Sequence, residues 1–164
     1  MLPVSPTAQS RRRYLTVLAV LLLLFCLRVL GQALVAFFHV SFLPPMEAWF
    51  SGVLPYPWLL SSQILIIVLY GKVCGDFVRG SGYFITPRPS LGAGLVKWGG
   101  IYFVAMIVRY ALRMALYPQE RWVGGCIPIF FHWVLATFLI VLGTYHLSAA
   151  KRPKPSIDLL NPEA

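Results

Sequence analysis

Four long apolar stretches dominate the chain, and polar or proline-rich segments separate them. They cover residues of about 14–38, 58–78, 94–117 and 124–148. A bilayer crossing needs about 20 mostly apolar residues at 1.5 Å each, so each stretch predicts a transmembrane helix. The predicted fold class is therefore all-α: an integral membrane four-helix bundle formed by residues 14–148.

Composition agrees with this pattern. Of the 164 residues, 59% are hydrophobic and 12% are charged, which is typical of a membrane protein and leaves no room for a second soluble domain. The net charge of +9 does not indicate a nucleic-acid partner, because the cations flank the apolar stretches instead of forming one basic face.

The positions of these cations predict an orientation. Three arginines, Arg11 to Arg13, precede the first span, and Lys151 to Lys154 follow the fourth span. The second loop contains Arg79 and Arg88, and Lys97 lies nearby. The positive-inside rule then places both termini in the cytoplasm, in what we interpret as a bacterial inner (plasma) membrane. Residues 1–13 and 149–164 are polar and proline-containing, and are predicted to be disordered cytoplasmic segments.

A cleaved signal peptide is the alternative interpretation of residues 1–33. The basic start, the apolar middle and the small residues around Gly31 and Ala33 fit such a segment. Arg28 is poorly placed just before a cleavage site, however, and the apolar run continues beyond Ala33.

Each predicted span carries a polar residue at a similar depth. Counted from the outer end of its span, Arg28 lies at roughly 15 Å, Gln63 at roughly 9 Å, and Arg109 and His132 at roughly 12 Å. The five acids all occupy loops, tails or span ends: Glu47, Asp76, Glu120, Asp158 and Glu163. The candidate ligand-binding or partner-binding residues are therefore the members of this layer, together with the nearby glutamine: Arg28, Gln32, Gln63, Arg109 and His132.

Arg109 is the most informative member of this layer. A cation so far from both ends of a span costs at least about 2.5–3.5 kcal/mol, so we expect it in the bundle interior beside Arg28, Gln63 and His132. Three interpretations stay open: a satisfied internal network, a ligand or lipid head-group site, and an acid supplied by a partner subunit.

The histidines allow at most one haem. His132 and His146 are 14 residues apart and face the same way on a helix, but no other span carries a matching pair. Only His39 and His132 could ligate one haem from two sides, and ordinary hydrogen-bonded histidines are the alternative. No C-x-x-C, H-E-x-x-H, P-loop or G-x-S-x-G occurs, so no catalytic or other metal site is predicted.

Two short motifs resemble a known family. C-L-R-V-L-G at Cys26 to Gly31, followed by L-P-Y-P-W-L-L-S-S-Q-I-L at Leu54 to Leu65, is similar to the first half of the DoxX family of small four-helix membrane proteins. Gln63 stands roughly where that family has a buried glutamate. The resemblance implies a quinone-linked or redox-associated membrane subunit.

The predicted function is an accessory or interaction role in a membrane complex, without catalysis. The expected partners are the bilayer and another membrane subunit or an anionic lipid. The alternatives are a redox-linked subunit that binds a quinone or a single haem, and a small transporter. A transporter is disfavoured because no acid lies inside a span to couple protons.

The orientation can be tested with topology reporters fused at Ser10 and Ala164. Both fusions should report the cytoplasm, because an even number of spans separates two basic flanks. A C-terminal fusion that reports the outside would contradict four spans, and loss of an N-terminal tag from the mature protein would indicate cleavage after Ala33.

Overall fold

The computed structural model describes residues 8–49, 55–116 and 126–150, and the secondary structure within these ranges is entirely helical. The helices are α1 (Ala8–Phe38), α2 (Met46–Trp49), α3 (Tyr56–Arg79), α4 (Pro89–Leu116) and α5 (Cys126–Ala150). All except α2 are long and apolar enough to cross a membrane, judged by length and composition. This confirms the predicted all-α class with four candidate membrane-spanning helices, which indicate an integral membrane protein. Which face is cytoplasmic stays a prediction.

The described helices extend beyond three predicted boundaries. Helix α5 ends at Ala150, so residues 149 and 150, predicted to be disordered, are helical. Ala8 to Arg13, predicted to be disordered, form the first turns of α1, since no proline or glycine interrupts that segment and arginine favours helix. The helix that carries the third predicted span begins at Pro89, before the predicted start at about residue 94, because proline is well suited to the first helical position. Residues 1–7 and 151–164 lie outside the described ranges, so disorder there stays a prediction.

Left-handed residues end two of the helices. Gly80 adopts φ 72°, and its N–H donates to the Asp76 carbonyl oxygen at 2.9 Å, which closes α3. His39 follows α1 with φ 51°, a conformation that a non-glycine residue adopts infrequently. Its N–H donates to the carbonyl oxygen of Val35.

The four long helices run alternately up and down. Near the start of α1, the Tyr14 ring lies 5.3 Å from Tyr145 of α5, and the Tyr14 hydroxyl lies 3.4 Å from Ser148 Oγ. The end of α3 reaches the same level, where Phe77 lies 4.6 Å from Tyr145. We call this face the basic end, because it carries Arg11, Arg12, Arg13, Arg79 and Arg88, and we call the opposite face the outer end.

Helices α1, α3 and α5 form the core. Leu18, Phe77, Phe138 and Tyr145 are almost completely buried between them. Large aromatic side chains bridge α3 and α5, and the rings of Tyr70 and Phe138 stack at 3.7 Å with an angle of 13°. Aromatic contacts of this kind contribute about 0.5–1.5 kcal/mol beyond the area they bury.

Helix α4 lies outside this core and packs its backbone closely against α5 alone among the described helices. Gly92 and Gly99 of α4 face Gly143 and neighbouring residues of α5, so the two backbones approach closely. Among the residues of α4, only Gly92 and Gly99 are buried. The predicted four-helix bundle is therefore a three-helix core with a peripheral fourth helix.

The glycine seam between α4 and α5 can be tested with alanine substitutions. A Cβ at Gly143 would lie 2.8 Å from the Gly92 carbonyl oxygen and 2.9 Å from the Val96 backbone nitrogen. Because backbone cannot yield as a side chain can, Gly143→Ala should destabilise the protein by about 1–3 kcal/mol.

The matched control is Gly100→Ala, since a Cβ there meets nothing within 4 Å. This change should be neutral or stabilising by up to about 1 kcal/mol through helix propensity. Thermal unfolding of both variants in the same detergent is the measurement. Equal stability of the two variants would contradict the tight seam.

Candidate functional site

A buried polar cluster joins α1 to α3 near the outer end. Arg28, Gln32 and Gln63 each expose 7% or less of their surface. Arg28 Nη1 donates to Gln32 Oε1 at 3.2 Å, and Gln63 Nε2 donates to the same oxygen at 3.0 Å. One amide oxygen therefore accepts hydrogen bonds from both helices. Arg28 can reach this oxygen because Arg28 and Gln32 are four residues apart on one face of α1.

The short helix α2 covers this cluster. Arg28 Nη2 donates to the Trp49 carbonyl oxygen at 3.0 Å, and the Trp49 indole Nε1 donates to the Pro44 carbonyl oxygen at 2.8 Å. Gly31 makes room for the indole, since a Cβ there would lie 2.8 Å from Trp49 Cη2. The Arg28 guanidinium also lies 5.5 Å from the centre of the Phe131 ring of α5.

The cluster carries a positive charge, and within the described residues its only acceptors are neutral oxygens. Several of its buried polar atoms have no hydrogen-bond partner among the described residues: Arg28 Nε, Gln32 Nε2, Gln63 Oε1 and the nearby Tyr56 hydroxyl. An unpaired buried group costs about 1–3 kcal/mol. The chemistry available here is hydrogen bonding and fixation of helix register, and no proton-transfer pair is present within the cluster.

The predicted interior position of Arg109 is wrong. Its side chain is exposed, and it makes no hydrogen bond or ion pair with another described residue. The reason is the peripheral position of α4, which buries only the side bearing Gly92 and Gly99. Arg109 lies about 100° around the helix from that side, at 100° per residue. Similar depth therefore does not bring Arg109 into contact with the cluster around Arg28.

The two candidate haem ligands lie in different surroundings. His132 is half-buried, and its ring centre lies 5.8 Å from that of Tyr102 on α4. His39 is exposed and, with Val35 and Pro44, lines a groove of about 510 Å³ at the outer end. His132 is not among the residues that line this groove. Within the described ranges, no group of three or more His, Cys, Asp or Glu residues could hold a metal ion. A bound haem or quinone stays a prediction.

Sequence reasoning missed the contribution of α2. A backbone carbonyl, that of Trp49, accepts from Arg28, and a carbonyl has no sequence signal of its own. The available sign was the pair Pro44-Pro45 followed by an aromatic residue between two spans, which is typical of a segment at the membrane interface. At the other end of α3, Lys72 and Asp76 form an ion pair one turn apart, with 3.2 Å between Nζ and Oδ1.

Comparison of the chain with protein-family models, curated proteins and solved structures finds no match. The resemblance to the DoxX family therefore stays a prediction. Gln63, which this resemblance would align roughly with that family's glutamate, donates to Gln32 and makes no hydrogen bond with Arg28 among the described contacts.

Replacement of Gln32 tests the cluster. In Gln32→Leu, Arg28 Nη1 and Gln63 Nε2 lose their common acceptor, so unfolding should become easier by about 1–3 kcal/mol for each unpaired donor. In Gln32→Glu, a carboxylate would replace an amide whose Nε2 makes no hydrogen bond with a described residue. Because it would place a negative charge beside Arg28, this variant should be at least as stable as the parent.

The control is Gln9→Leu, which changes an exposed glutamine of the same helix and should alter stability by less than about 0.5 kcal/mol. Thermal unfolding in one detergent compares the three variants. A Gln32→Leu protein as stable as the parent would show that the shared acceptor contributes nothing.

Proposed function

We propose that this protein is an accessory subunit of a membrane complex and docks a partner helix on the exposed side of α4. The observation that carries the proposal is Arg109, an exposed cation well inside a candidate span. An integral membrane protein leaves such a charge facing lipid only at a considerable cost in free energy, and a partner helix with an acidic residue removes that cost.

Extension of the side chain to the membrane surface does not resolve the charge. Lys97 and Arg109 are both exposed and are twelve residues apart, about 18 Å along the helix. The hydrocarbon layer is about 30 Å thick, so both cations cannot lie at opposite interfaces. With Lys97 at the interface of the basic end, Arg109 remains about 12 Å short of the other interface.

The surface around Arg109 is shaped for a neighbouring helix. Residues at helical spacing form a mostly apolar stripe that we call the α4 outer face: Trp98, Ile101, Ala105, Arg109, Leu112 and Leu116. Leu112 and Leu116 expose 56% and 69% of their surface. Ala105 lies one turn from Arg109, and a small residue there lets a second helix approach closely.

Charge complementarity selects the partner. A second copy of this chain offers no free carboxylate from its described spans, because Asp76 is buried and paired with Lys72. The partner we propose is therefore a different membrane protein with an aspartate or glutamate at the depth of Arg109. We place the complex in a bacterial inner membrane with both termini of this chain in the cytoplasm, as the flanking cations favour.

Site-specific photo-crosslinking in native membranes tests the proposal. A photoreactive residue at Leu112 should crosslink to a partner, whereas one at Leu65, a leucine of α3 that is even more exposed, should not. Arg109→Leu should abolish the Leu112 crosslink and leave the melting temperature of the purified protein unchanged, because Arg109 is exposed and makes no hydrogen bond or ion pair with a described residue. Lys97→Leu is the matched control on the same helix, and should retain the crosslink.

The identity of the crosslinked segment completes the test. It should contain an intramembrane acid, and exchange of the two charges, with Arg109→Asp and arginine or lysine in the partner, should restore the crosslink. Of the five acids of this chain, Glu120 is the nearest to Arg109 in sequence, and it lies outside the described residues. If Glu120→Gln and Arg109→Leu destabilise the isolated protein equally, the two pair within the chain and the proposal fails. Equal crosslinking from Leu112 and Leu65 would also overturn it.

A further inference from the structure

A groove between α1 and α5 opens at the basic end, on surfaces that the α4 outer face does not include. Its volume is about 390 Å³, and six residues line it: Ser10, Arg13, Tyr14, Val17, Val141 and Thr144. The α1 side of the groove runs from Ser10 to Val17, about 10 Å along the helix.

The lining changes from polar to apolar with depth. Ser10 and Arg13 lie nearest the basic end on α1, and Val17 lies one turn deeper. On the antiparallel helix α5, Thr144 is likewise nearer the basic end than Val141. Beyond the groove the same stripe of α1 continues with exposed Val20 and Leu24, at helical spacing from Val17. A molecule that fits this lining has a polar head, and an apolar tail parallel to the helices.

The charge at the mouth of the groove is positive and uncompensated by described residues. Arg13 is exposed and has no acidic partner within the described ranges, in which the one ion pair joins Lys72 and Asp76. The neighbouring arginines are directed elsewhere. The Arg11 guanidinium lies against Gly80 of the loop after α3, and Arg12 does not line the groove.

We propose that this groove binds one anionic phospholipid. Arg13 donates to its phosphate group, the hydroxyl-bearing residues Ser10, Tyr14 and Thr144 surround the head group, and one acyl chain lies along Val17 and Val141. The guanidinium suits this role because its planar fork of donors matches the phosphate oxygens. The surface potential of an anionic leaflet brings such lipids to the basic end.

Lipid retention by the full-length protein tests the site. The protein is reconstituted in nanodiscs that contain equal amounts of phosphatidylglycerol and phosphatidylcholine. Native mass spectrometry then measures the lipid that stays bound after the protein is released from the nanodisc. The parent should retain one phosphatidylglycerol in preference to phosphatidylcholine. Arg13→Gln should weaken this retention by about tenfold or more, since it removes the charge-assisted contact. Arg12→Gln removes the same charge one residue away, and should retain the lipid.

A second pair of variants tests the apolar part without a change of charge. Val17→Trp should fill the groove and displace the lipid, whereas Val68→Trp, on the exposed side of α3, should not. Both valines are exposed, so both variants should fold. Equal losses in Arg12→Gln and Arg13→Gln would indicate diffuse surface charge and overturn the proposal. Retention by Val17→Trp, or displacement of the lipid by excess inorganic phosphate, would do the same.

Discussion

The shared acceptor Gln32 Oε1 is the contact on which the outer half of the structure depends. It receives Arg28 Nη1 from its own helix and Gln63 Nε2 from α3, while the other terminal nitrogen of Arg28 holds the Trp49 carbonyl of α2. Inside a bilayer no water competes for these donors, so their geometry fixes which faces of α1 and α3 meet. The Arg28 guanidinium and the Gln32 amide oxygen together thus join α1, α2 and α3 without any carboxylate.

The other contacts divide the molecule into a firmly packed core and a peripheral helix. Aromatic rings such as Tyr70, Phe138 and Tyr145 fill the space between α3 and α5. Glycines 92, 99 and 143 bring α4 against α5 on one side only. Hydrophobic burial does not drive helices together in lipid, so the remaining apolar surface of α4 is compatible with the bilayer by itself. The exposed charge of Arg109, well inside the span, is not compatible with lipid by itself.

Sequence reasoning located the four long apolar helices but not the directions in which their side chains point. Hydropathy marks a span because length and apolar composition suffice, and counting residues placed Arg28, Gln32 and Gln63 close in depth. The rotation of α4 could not be derived, because its apolar residues surround the helix and define no face. The count of residues along the span gives Arg109 a depth but no direction, and we predicted the interior from the cost of a cation in lipid, whereas the structure exposes Arg109.

Arg28 and Arg109 show two different solutions to the same physical problem. Arg28 has a glutamine one turn away and a capping segment that offers a carbonyl, so the chain itself supplies acceptors. Arg109 lies on a helix with one close neighbour, and the one-turn position before it is Ala105, which has no polar side-chain atom. Since Asp76 is held by Lys72 and by the Phe84 N–H at the basic end, the described spans contain no acid that could move to Arg109. The peripheral cation therefore points to an acceptor outside the three-helix core, and this argument, not the apolar area of α4, supports a partner subunit.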